Sequence, residues 1–175
     1  LLGDSTVPFW VKGFVCEYAG RSHAGLGEYS ESKAWYDRGV TLSTHTGPTR
    51  WFLAYMSALV TTKMYPMNPE TGVDAIARYL ETYPDSTYAG NAYIELGALF
   101  TLAGDYHGAS DFYNTVIQQG KNESLTKVAQ HELVNDHPSC NCGKADGQGD
   151  DAGLLLGHGE SQQHDGEEAE EELGQ

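Results

Sequence analysis

The chain has 175 residues, 39% of them hydrophobic, and 25 acidic against 10 basic side chains give it a net charge of −15. That leaves room for one ordinary domain and a tail. The acidic excess argues against nucleic acid as a partner, because phosphate recognition needs clustered Lys and Arg.

No apolar run approaches the roughly 18 residues of a membrane span; the longest candidate is the stretch from Phe52 to Val60. The three cysteines, Cys16, Cys140 and Cys142, form an odd set with no disulfide framework, and they leave the redox compartment open. The start, Leu1-Leu2-Gly3, has neither a Met nor a charged-then-apolar leader, so the expectation is a processed or truncated chain.

In chain order, residues 1–12 are a lead segment. Its Val7, Phe9, Trp10 and Val11 either pack against the first helix pair or belong to another interface. Residues 13–43 show apolar and small residues at helical spacing on both sides of Gly27, which predicts a helix pair. After the breaker Gly47-Pro48, residues 50–64 form the first helix of a second pair. Residues 65–72 carry Pro66 and Pro69 and are expected as a loop, and residues 74–82 form the second helix. Pro84 ends that helix, while Asp85 or Ser86 caps the next.

The third pair, residues 86–119, is the most informative stretch. Apolar residues recur three and four apart on both sides of Ala103-Gly104-Asp105, so two amphipathic helices meet at a very short turn and pack antiparallel. Gly97 and Ala109 fall where the backbones come closest. Gly in a helix interior costs about 1 kcal/mol against Ala, and close approach is the reason to carry it. Residues 124–135 make a seventh helix with Leu125, Val128, Ala129 and Leu133 on one face, a suitable cap for an open-ended stack.

From Asp136 onward there are 11 acidic side chains against Lys144, no aromatic residue, and one apolar cluster, Leu154-Leu155-Leu156. That composition predicts a disordered acidic tail.

The pattern repeats along the chain. Ala75 and Tyr79 precede Ala109 and Tyr113 by 34 residues. Gly20, Gly27, Tyr29, Ser32, Tyr36 and Gly39 precede Gly97, Gly104, Tyr106, Ala109, Tyr113 and Val116 by 77, which places an insertion of about nine residues in the middle repeat.

Tyr93, Leu96-Gly97, Phe100, Gly104-Asp105-Tyr106, Ala109, Tyr113 and Val116 stand in the order and spacing of a tetratricopeptide repeat, which this stretch resembles; Lys121 replaces the usual Pro. The joint from Tyr83 to Ala92 is similar to that of bacterial envelope members, such as the Tol–Pal coordinator and the lipoproteins of outer-membrane assembly. The resemblance implies an all-α, right-handed α-solenoid of about three helix pairs with a capping helix, and an envelope or periplasmic location. It also implies an adaptor that binds a protein or peptide segment without catalysis or cofactor.

The family's groove positions, carried across one by one, fall on Glu17 and Arg21, on Trp51 and Tyr55 with a register open by one residue, and on Ile94, Ala98 and Thr101. Trp51 and Tyr55 fit the core between pairs equally well. Some relatives grip a C-terminal carboxylate with Lys and Asn; Glu17, Arg21, Ile94 and Ala98 hold the corresponding places here, so no such clamp is implied.

No nucleophile–base pair, phosphate-binding loop or dense carboxylate cluster is legible, and Cys16 reads as a small buried hydrophobe. The alternative function lies in the tail. His137, Cys140 and Cys142, with His131, His158 and His164 near them, offer soft ligands for a metal-handling role, although Cys-x-Cys is not the spacing of structural zinc sites.

Overall fold

The computed structural model describes residues 2–43 and 47–135. Among these residues the fold is all-helical: α1 (Phe9–Gly25), α2 (Tyr29–Leu42), α3 (Pro48–Met64), α4 (Pro69–Thr82), α5 (Ala89–Leu102), α6 (Tyr106–Gln119) and α7 (Glu123–Asn135). Each helix packs on the next in chain order, while α1 also touches α3 and α5 touches α7. Short connections leave each helix little choice but to fold back along its predecessor.

The 77-residue relation holds at atomic detail. A Cβ placed on Gly20 would lie 2.6–2.9 Å from Cε1, Cζ and Cδ1 of Tyr36, and one on Gly97 would strike the same three atoms of Tyr113. Both tyrosines are fully buried. Each glycine therefore lets a tyrosine ring approach bare backbone more closely than a Cβ would allow.

The turns are duplicated too. Gly27 and Gly104 sit at φ +78° and +80°, the left-handed region that only glycine enters freely. Glu28 N–H donates to His23 O at 2.9 Å and Gly27 N–H to Ala24 O at 3.0 Å. Asp105 N–H donates to Phe100 O and Gly104 N–H to Thr101 O, both at 3.0 Å. This is the paired closure that satisfies the last carbonyls of a helix before a sharp reversal.

The middle pair departs from the sequence expectation. α4 begins at Pro69, inside the segment expected as a loop. A proline at the first helical position costs nothing, because its missing N–H has no partner there anyway, and Gly72 is buried against Thr62 and Leu99.

The repeat frame shifts with it. The buried residues of α4 are Gly72, Ile76 and Tyr79, spaced as Ser32, Tyr36 and Gly39 in α2 and as Ala109, Tyr113 and Val116 in α6. Residue 72 thus stands 37 positions before residue 109 and 40 after residue 32, so the 34-residue match of Ala75 to Ala109 is out of phase by three. The extra length is divided between both intervals instead of sitting in one insertion. At the other end, α1 starts at Phe9 and takes in the last part of the lead segment. The tail expected to be disordered, residues 136–175, lies outside the described residues.

Candidate partner-binding surface

The first helices of the pairs carry the residues that the resemblance assigns to a groove. On α1, Arg21 forms an ion pair with Glu17 at 3.0 Å, one helical turn away, and its guanidinium stands 5.3 Å from the ring centroid of Phe52 on α3. A guanidinium over an aromatic face is attracted by the ring quadrupole. The α3 residue beside Arg21 is therefore Phe52, one position on from Trp51, which is half-buried.

Tyr55 is only 7% exposed and belongs to the core with Ile76, Tyr79 and Leu96. Its ring stacks on Tyr88 at 5.7 Å and 12° and leans on Tyr79, also at 5.7 Å. Burial raises its hydroxyl pKa far above the ordinary tyrosine value, with the Glu95 carboxylate adding to the effect. Tyr79 is pushed up to about 12, again by burial first. These hydroxyls stay neutral, and they serve packing before any partner contact.

On α5, Ile94 packs on the cluster of Ala109, Tyr113, Val116 and Ala129, while Ala98 and Thr101 are half-buried. Thr101 Oγ1 is enclosed without a hydrogen-bond partner among the described residues. The fold thus brings Glu17 and Arg21 together, strings Ile94, Ala98 and Thr101 along one helix, and sinks Tyr55 into the core.

Sequence reasoning passed over Glu95 and Lys63. Burial raises the carboxyl pKa of Glu95, with the Lys63 charge opposing that shift. Nothing in the linear pattern marks a half-buried carboxylate one position from Ile94; only the approach of α3 to α5 gives it a setting. Phe9 and Trp10, which the sequence left between packing and another interface, continue into an exposed stripe on α1 whose further members, Phe14 and Tyr18, were passed over. Phe9, Trp10, Phe14 and Tyr18 are 44%, 53%, 50% and 65% exposed, and Trp10 meets Phe14 edge-on at 6.2 Å.

No group of three or more metal-ligating side chains occurs among the described residues, and His137, Cys140 and Cys142 lie outside them. No described helix is long and apolar enough to cross a membrane. A scan against protein-family models matches none, and a search of the curated proteins finds no match.

Proposed function

We propose that the chain is a non-catalytic interaction module: a right-handed solenoid of three tetratricopeptide-like pairs, capped by α7, that takes a peptide or protein segment along its first helices. The observation that supports this reading is the like construction of the first and third pairs, glycine under tyrosine and glycine at the turn, with Arg21 and Ala98 at equivalent places 77 residues apart. A module built by repeating one hairpin presents equivalent positions in a row, and a row suits an extended ligand.

Arg21 beside Phe52 supplies a cation on an aromatic base, a residue combination enriched where binding energy concentrates. The setting of such a protein is the cell envelope, on the strength of the resemblance alone.

Peptides selected from a random display library against the intact chain provide the test. Arg21→Glu and Ala98→Glu are each expected to lower the affinity of the selected peptides about tenfold or more, equivalent to about 1.4 kcal/mol, with the helical circular dichroism unchanged. Selected peptides that bind both variants as tightly as the parent would remove the assignment.

A further inference from the structure

The three second helices are each fourteen residues long and share one pattern of buried positions. Their seventh residues are Trp35, Ala75 and Phe112. In α6 the aromatic side chain fills space: Phe112 lies edge-on to Phe100 at 5.0 Å, runs nearly parallel to Tyr93 at 6.4 Å, and reaches the core cluster around Ile76 and Leu96.

Ala75 offers a methyl group where Phe112 offers a ring. Between α2 and α4, over α3, the structure leaves an open cleft of about 380 Å³, within the range of ordinary small-molecule sites, roughly 300–1,000 Å³. Its apolar and aromatic lining is Ala54, Ala58, Ala75, Tyr79 and Tyr83.

The polar side chains of the cleft are not equivalent. Lys33 is engaged, donating to Asp37 Oδ2 at 2.7 Å and to Ser57 Oγ at 3.0 Å, and Ser57, itself 7% exposed, donates to Asp37 Oδ1 at 2.5 Å. This closed triangle fixes the α2 wall. Arg78, on the α4 wall, forms no ion pair among the described residues; Asp74, one turn earlier, stands outside ion-pair distance. A free guanidinium at the edge of an apolar floor is a fork for a planar anion.

We propose that this cleft is a binding site for an aromatic carboxylate, its ring seated on Ala54, Ala58 and Ala75 and its carboxylate held by Arg78. The bound ring takes the part that Phe112 plays within the next pair. The site is walled by α2 and α4 with α3 as its floor, and it uses none of the residues assigned to the peptide groove.

The test titrates N-acetyl-L-tryptophan into the isotope-labelled full chain and follows amide shifts. Saturable binding in the millimolar range is expected for a ligand of this size, with the largest shifts at Ser57, Ala75 and Arg78. Ala75→Phe, which supplies the ring from within, is expected to weaken binding about tenfold or more while the melting temperature holds. Arg78→Gln is expected to reduce the affinity of the acid to that of its uncharged amide, and Arg38→Gln to leave both unchanged. If Ala75→Phe fails to fold, the Arg78 pair and a comparison with N-acetyl-L-leucine still decide. Equal binding of the leucine derivative, parent-like affinity in a folded Ala75→Phe or in Arg78→Gln, or no saturation overturns the proposal.

Discussion

At Gly20 and Gly97 two opposing effects can be weighed. Alanine gains about 1 kcal/mol of helix propensity over glycine. Its methyl group, however, would sit under 3 Å from a tyrosine ring that is fully buried. Overpacking a close contact costs about 1–3 kcal/mol and wins. Gly97→Ala and Gly20→Ala are therefore expected to lower the urea-unfolding free energy by up to roughly 2 kcal/mol net. Gly25, where a Cβ meets nothing within 4 Å, is the internal control; Gly25→Ala should be neutral or gain up to ~1 kcal/mol.

Glu95 gives the residue scale a pH dependence. Its carboxyl pKa is raised above the ordinary 4.5 by burial, against the opposing Lys63 charge. A raised folded-state pKa means the folded chain holds this proton more tightly than the unfolded chain does. The stability that this supplies is complete below 4.5 and is lost as pH rises through the folded value. Glu95→Gln removes that loss, so the variant should melt above the parent at pH 7 and level with it near pH 4, read by thermal scans at both values. A variant that melts below the parent at pH 7 would mean that the attraction to Lys63 outweighs burial.

At the scale of elements, legibility followed the strength of local chemistry. The third pair could be read from sequence because its signals are stereochemical. Gly104 is needed at positive φ, Gly97 under a ring, and Asp105 as the cap that accepts from Gly108 N–H at 3.0 Å. The first pair could be read through its offset of 77: the end of α1 and both ends of α2 fall in register with the third pair, while α1 starts three residues earlier than α5 does in that frame.

The middle pair misled for a physical reason. Two prolines so close together suggested a loop, whereas Pro69 opens α4, and Ala75 in an Ala-x-x-x-Tyr spacing imitated Ala109 while the buried small residue is Gly72. Spacing within one helix cannot tell two faces apart when both carry small residues. The surroundings of the proposed groove residues were less legible still. Arg21 beside Phe52, and the raised pKa of the half-buried Glu95, depend on helices distant in sequence, and no single helix announces them.

For the whole molecule, contact between successive helices sets how damage spreads. α7 covers the end of the described fold: Ala129 is fully buried on the cluster of Ala109, Tyr113 and Val116, Leu125 and Leu133 pack beside it, and Leu125 also lies against Gly90. Consider a chain ending at residue 120 compared with one ending at 135. The shorter chain exposes that cluster, a loss of about 2–4 kcal/mol at two half-buried leucines and an alanine. In a stack coupled chiefly through neighbours, the loss stays close to the cut. Hydrogen exchange should accelerate in α5 and α6, around Leu96 and Tyr113, while amides near Tyr36 in α2 and Leu53 in α3 keep their protection. Uniform acceleration from α1 to α6 would mean that the helices melt as one body, and unchanged exchange in α6 would mean that α7 caps nothing. Only the graded result belongs to a molecule in which each hairpin stands on the one before it.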